Sequence, residues 1–249
     1  MKQYSAKDFE KSLVIFTDGS SLGNPGPGGY GAVIVFQQLD EVIELGGNKI
    51  KTTNNEMELS AVIAGLSHTV FNTAPVEIFT DSSYVINGIT KWVHGWQKNG
   101  WKTKTGDVAN KALWQNLSSL VKEREQVTQV SWNYVPGHVG VIGNERCDGI
   151  ATSFAAGKPE TLIRGKLSTY GQDVLNFTID EGLKQEKSEK RAKSNAKAHS
   201  YLSLVDGVAM RHMTWVECEA RVKGKRAKFK KSISADDEQT ILSEWGVSL

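Results

Sequence analysis

Asp18 and Asp81 each close a short apolar run, Leu13–Phe16 and Val76–Thr80, that reads as a buried β-strand. In open α/β sheets, sites gather at the carboxyl ends of strands. Glu58 falls in the first turns of a helix opening at Asn54 or Asn55, and Asp148 in the first turns of one opening at Asn144. Taken singly, each helix acid has a structural role open to it, because helix N-termini favour negative side chains. Gathered at one sheet edge, four acids would repel one another and could not all stay ionised without compensation. Hard, oxygen-ligated cations supply it, and carboxylates favour Mg²⁺ or Mn²⁺ over softer metals. Spacing alone leaves open whether the four converge. His138, in a loop between Gly137 and Gly140, is either a proton carrier or a surface histidine.

The elements that must position these groups follow from turn and period signals. Leu13–Phe16, Tyr30–Phe36 and Glu41–Gly47 read as three strands, with the Gly- and Pro-rich stretch Ser20–Gly29 as a loop. Next come a helix through Met57, Leu59, Val62 and Leu66, the strand Val76–Thr80, and a helix capped by Ser82. Lys91–Lys111 is rich in Lys and holds Trp92, Trp96 and Trp101, of which the first two are expected in the core and Trp101 exposed. A helix over Ala112–Arg124, a strand over Gln129–Val135, a loop and a helix from Asn144 through Ala156 complete an α/β domain with a mixed sheet. Leu162–Leu183 has scattered apolar residues, and the charged run Lys184–Lys197 reads as a linker with at most transient helix. Tyr201–Gly246 regains aromatics and can bury a very small core.

With 249 residues, the chain holds one large domain or two ordinary ones. Its 39% hydrophobic and 23% charged residues exclude a disordered or collagen-like chain. No apolar run approaches the ~20 residues of a membrane span. Met1–Ser12 is charged and lacks an apolar signal core. Two cysteines, Cys147 and Cys218, cannot build a disulfide framework or a four-thiolate metal site. The expectation is a cytoplasmic protein without membrane contact. Residues 1–157 carry 13 Lys/Arg against 15 Asp/Glu, a net −2, whereas residues 158–249 carry 17 against 13, a net +4. Arg221–Lys231 has seven basic residues in eleven and no acid, which points to an anionic partner, often nucleic acid.

Three motif groups carry a resemblance. Thr17-Asp18-Gly19-Ser20 with Gly23-Asn24-Pro25-Gly26, then Thr52 to Leu59 (TTNNEMEL) and Thr80-Asp81-Ser82-Ser83-Tyr84-Val85, resemble the type-1 ribonuclease H family. Gly100-Trp101-Lys102-Thr103, Gly137-His138 and Asn144-Glu145-Arg146-Cys147-Asp148 continue it in order. The resemblance implies a ribonuclease H-like five-stranded mixed sheet flanked by helices over residues 12–157. It implies two Mg²⁺ ions (Mn²⁺ possible) among Asp18, Glu58, Asp81 and Asp148, with Asp18 bridging both. Glu58 would also contact an RNA 2′-OH, and His138 would help proton transfer or product departure. The substrate would be an RNA–DNA hybrid, read through 2′-OH groups on one strand and their absence on the other. Asn24, Asn54, Asn55 and Ser83 match minor-groove positions, and Gly19 and Ser21 bring backbone close to the RNA. Thr53 and Asn110 match a pocket for a DNA-strand phosphate, and Trp101 sits in the family's DNA-gripping basic protrusion.

Residues 198–249 look like the small α/β hybrid-binding domain of eukaryotic-type ribonucleases H and the related viroplasmin-like domain, beyond a linker over 158–197. Trp215, Phe229, Lys230 and Lys231 match the residues that hold a duplex backbone there. The implied activity is endonucleolytic hydrolysis of the RNA strand of hybrids, independent of sequence, in primer or R-loop removal, with no obligatory protein partner. The alternative is a non-catalytic hybrid- or duplex-binding protein. Four intact acids count against it, because a pure binder gains nothing from negative charge facing phosphates. A transposase or junction resolvase of the wider fold is disfavoured by the asparagine-rich GNPGPGG and TTNNEME segments.

Overall fold

The run Leu13–Phe16 becomes the fully buried centre of a six-stranded sheet in the computed structural model, which describes residues 4–249. Strands β1 (Leu13–Ser21), β2 (Gly26–Phe36) and β3 (Glu41–Thr52) form an antiparallel meander. Then follow α1 (Asn54–His68), β4 (Val76–Thr80), α2 (Ser83–Asn87) and α3 (Val93–Lys98). Two-residue strands β5 (Lys102–Thr103) and β6 (Gly106–Asp107) lead to α4 (Lys111–Glu125), β7 (Val130–Tyr134) and α5 (Ile142–Ala155). A short β8 (Arg164–Lys166) completes the sheet, whose order is β7-β4-β1-β2-β3-β8. β1, β4 and β7 run parallel to one another, and the remaining pairings are antiparallel.

Side chains alternate across the sheet and build two layers. Leu13 and Ile15 pack with Leu59 and Val62 of α1 and Trp114 and Leu117 of α4. Val14 and Phe16 pack on the other face with Cys147 and Ile150 of α5. The chain divides into two units, Met1–Leu183 and Lys184–Leu249.

The expected five strands are therefore six, and the expected boundary at 157 moves to 183. Residues 158–183 do not form a linker. Tyr170, Val174, Leu175 and Phe177 are buried in the α5-side core, and the Phe177 ring lies 4.8 Å from Phe79 and 5.6 Å from Phe16. Phe16, Phe79 and Phe177 come from three separate segments, so no local pattern reports that they meet. A buried ion network fixes the segment further. Arg146 of α5 grips Glu44 of β3 bidentately at 2.6 and 2.8 Å and Glu160 at 2.6 Å. Glu44 also accepts from the Tyr170 hydroxyl and, at 2.8 Å, from the Ile163 N–H.

Smaller differences are local. Most of Ser20–Gly29 is strand, with the turn confined to residues 22–25. Thr53, rather than Asn54 or Asn55, caps α1, its hydroxyl accepting the Glu56 N–H at 3.3 Å. α5 starts at Ile142, so Asn144 is a buried first-turn residue and not a cap. Ser82 caps α2 as expected, accepting from the Val85 N–H. Trp92 is 40% exposed, whereas Trp101 is half-buried against the core beside Trp96. The exposed aromatic of the basic protrusion is Trp92, because Trp101 turns inward at φ +61°.

The span expected as a linker carries α6 (Glu181–Asn195). β9 (Ser200–Val205), β10 (Val208–His212), α7 (Trp215–Val222), β11 (Ala227–Ser232) and α8 (Ala235–Trp245) follow, and their sheet has the order β10-β9-β11. Arg221 of α7 bonds Ser203, and Glu238 of α8 bonds Ser200. These serines alternate to opposite faces of β9, so the two helices sandwich the sheet. Leu202, Ile241 and Leu242 form the small core. On the α7 face Trp215 sits tilted between Tyr201 and Phe229, with ring centroids 5.8 and 5.4 Å away.

Candidate active site

The parallel register of β1 and β4 creates the site. Thr17 pairs with Thr80 at the last rung, so the next residue on each strand, Asp18 and Asp81, stand side by side at the carboxyl edge. Glu58, the fifth residue of α1, arrives from above because that helix passes directly over Gly19. A Cβ on Gly19 would lie 2.2 Å from the Glu58 nitrogen, a distance no side chain can occupy. Carboxylate oxygens of Asp18, Glu58 and Asp81 all lie within 4.8 Å of one another. Asp148 does not join that grouping. It stands on α5 beside His138, with His138 Nδ1 3.5 Å from an Asp148 oxygen.

Three clustered acids in a buried edge carry an electrostatic cost. Asp18 and Glu58 are each 6% exposed. Burial, reinforced by the charges of Asp18 and Asp81, pushes the Glu58 carboxyl well above its ordinary range. Asp18 accepts the Gly19 N–H at 2.7 Å, and Glu58 Oε1 accepts from the Asn54 amide at 3.4 Å. Glu58 Oε2 is buried without a hydrogen-bond partner. A buried carboxylate oxygen is expensive to leave unsatisfied. An oxygen-only donor set of this charge suits a hard divalent cation and no soft one.

The residues expected around the substrate spread outward from this cluster. Asn24, at the β1–β2 turn, accepts the Asn54 N–H at 3.3 Å, so turn, helix start and Glu58 form one chain of contacts. Asn24, Asn54, Asn55 and Ser83 are exposed, while Ser21 and Thr53 are half-buried. Asn110 immediately precedes α4 in a left-handed conformation, its amide donating to the Tyr84 hydroxyl of α2 at 3.3 Å. Trp114 donates to the same hydroxyl at 2.9 Å, which makes Tyr84 the support for Asn110. Gly137 packs flush on Asp81, since a Cβ there would stand 1.9 Å from its carboxylate. Neither Tyr84 nor Gly137 could be singled out from sequence spacing, because both act through contacts to residues far along the chain.

The matched family model is RNase H, over residues 10–156, more than half of the chain. The chain belongs to the ribonuclease H family. Family members are metal-dependent nucleases that hydrolyse RNA paired with DNA, and this chain is such an enzyme. A ribonuclease H of a Cyanothece species is 49% identical over 150 residues, covering 59% of this chain and 92% of its own length. One from Pseudoalteromonas atlantica is 47% identical over 149 residues, covering 59% and 93%. Among solved structures, LC9-RNase H1, described as a type 1 RNase H with the type 2 active-site motif, superposes with a TM-score of 0.54 at 30% identity. It covers 66% of this chain and 82% of that one. The family match stops before β8, so it leaves the 158–183 extension and the C-terminal unit uncovered. Among the described residues no helix is long and apolar enough to cross a membrane.

Proposed function

We propose that the chain cuts the RNA strand of RNA–DNA hybrids endonucleolytically, without sequence preference, with two Mg²⁺ ions held by Asp18, Glu58, Asp81 and Asp148. The convergence of three carboxylates on one buried edge, with a Glu58 oxygen left unpartnered, carries this reading. When bound, the ions supply charge compensation and activate water for in-line displacement at phosphorus. Asp18 and Asp81 hold their positions through the strand register, and Asn54 orients Glu58. The exposed His138 imidazole, beside Asp148, carries a proton to or from the reacting edge. Asn24, Asn54, Asn55 and Ser83 meet the minor groove, where amides and hydroxyls both donate to and accept from a 2′-OH. Gly19 and Ser21 approach the RNA, and Thr53 and Asn110 hold a phosphate of the DNA strand. Trp101 contributes by shaping the protrusion from within, since it is half-buried. Primer or R-loop removal in the cytoplasm is the process this activity serves.

The metal reading has a calorimetric test. Burial and the charges of Asp18 and Asp81 push the Glu58 carboxyl well above its ordinary range, and a ligating carboxylate must be deprotonated. Mg²⁺ titrations at neutral pH in buffers of different ionisation enthalpy should show proton release that disappears in Glu58→Gln. Equal release by both proteins would remove Glu58 from the ligand set.

Residues 198–249 act as a basic duplex-binding module, supported by the exposed Trp215 and Phe229 and the neighbouring lysines. Lys230 pairs with Glu244 at 2.6 Å, and Lys231 donates to the Ala196 carbonyl at 2.9 Å. Both must exchange these partners for phosphate, and the other basic residues of the Arg221–Lys231 block share the contact. Truncation after Leu183, which spares the buried extension, should leave a nuclease with a higher KM and nearly unchanged kcat. Its salt slope of log K should fall by about 0.9 for each lost phosphate contact, by analogy with B-form DNA. Identical affinity and salt dependence in the two proteins would reduce the module to an appendage.

A further inference from the structure

The extension after α5 ends against the loop that carries His138. Asp180 donates its backbone N–H to the carbonyl of Val139, the residue after His138, at 2.7 Å. Gly140 turns beside it at φ +94°, where a Cβ would stand 3.2 Å from the Asp180 nitrogen and 3.5 Å from the Thr178 carbonyl oxygen. From within the loop's own helix, the Glu145 carboxylate accepts the Gly140 N–H at 2.7 Å. Val139 is 1% exposed, whereas the His138 side chain is 61% exposed. His138 itself sits at φ +53°, a conformation a non-glycine residue keeps when its neighbours over-determine it. Those neighbours are fixed by the extension, whose Val174, Leu175 and Phe177 are rooted in the core.

We propose that residues 174–180 are a brace that sets the His138 imidazole beside Asp148, with the Asp180 N–H as its positioning group. The brace lies outside residues 10–156, the part matched to the family, so this chain supplies it from its own extension. The proposal rests on reading His138 as a proton carrier, and the experiment separates the two. Asp180→Pro deletes the N–H. Asp180→Ala keeps it and removes only the side chain, which accepts from the Leu183 N–H at 3.0 Å.

In the full-length protein with labelled hybrid, Asp180→Pro should lower kcat about tenfold with little change in KM, as for a displaced reacting group. Asp180→Ala should restore the wild-type value. In a His138→Ala background the proline should cost nothing further. The His138 ring resonances should shift in Asp180→Pro and stay in place in Asp180→Ala. Unmoved resonances, or an equal loss of kcat with and without His138, would overturn the brace. Shifted resonances with a fully active His138→Ala enzyme would leave the brace standing and reject the proton-carrier role. Should the proline variant not fold, Gly140→Ala, which forces a Cβ onto the Asp180 backbone, should give the same split between kcat and KM. Wild-type kcat and unmoved ring resonances there would equally overturn the proposal.

Discussion

Asp81→Asn should lower cleavage of a hybrid by about a thousandfold or more at saturating Mg²⁺, because a metal ligand's contribution is several kcal/mol of barrier. Asp81 stands at the end of β4 directly beside Asp18 through the last parallel rung, so the change alters charge without moving backbone. An amide is nearly isosteric with the carboxylate but brings no anion to the cation. The hybrid should bind at least as tightly, since one negative charge facing phosphates is gone. Asp18→Asn should behave alike. Activity within tenfold of wild type, measured in single turnover to exclude product release, would contradict the assignment.

Arg146→Ala should cost about 3–5 kcal/mol, the usual penalty for stranding a buried charge. The melting temperature should drop by roughly 6–20 °C for a chain of this size. Burial alone would raise the Glu44 carboxyl, but hydrogen bonds from Arg146, Tyr170 and the Ile163 N–H outweigh it and hold it below the ordinary range. Folding therefore gains from this group above the ordinary carboxylate pKa. The gain disappears as pH falls through the lower folded value. In Arg146→Ala burial loses its main opponent and the sign should reverse. Stability should improve as pH falls through the raised folded value of Glu44 and level off once the unfolded chain is protonated as well. Thermal melts from pH 7 down to the acid limb would show it. A parallel pH profile in the two proteins would mean that Glu44 is not held by Arg146.

The sequence made the site legible where chemistry and chain order coincide. Asp18 and Asp81 end apolar strands, and strand ends are where an open sheet keeps its chemistry, so their juxtaposition needed only a parallel pairing. Glu58 needed more, because its approach depends on Gly19 leaving room for α1. The extension was illegible for a physical reason. Tyr170, Val174 and Phe177 are spaced four and three apart, as on a helix face, yet the segment is irregular. What buries them is an aromatic cluster and an ion network assembled from β3, α5 and residues over a hundred positions apart. Trp101 misled because exposure depends on one left-handed residue, which composition does not encode. The hydroxyl of Thr53, not Asn54, caps α1, which leaves the Asn54 amide free to meet Glu58.

The most direct measurement is a gel assay with 5′-labelled RNA presented in three duplexes: an RNA–DNA hybrid, an RNA duplex, and a hybrid of unrelated sequence. Each is run with Mg²⁺ and with chelator. Internal cuts in the RNA of both hybrids, dependent on Mg²⁺ and absent from the RNA duplex, are the predicted result. Cleavage of the RNA duplex at a comparable rate, or cleavage of hybrid that persists in chelator, would contradict it.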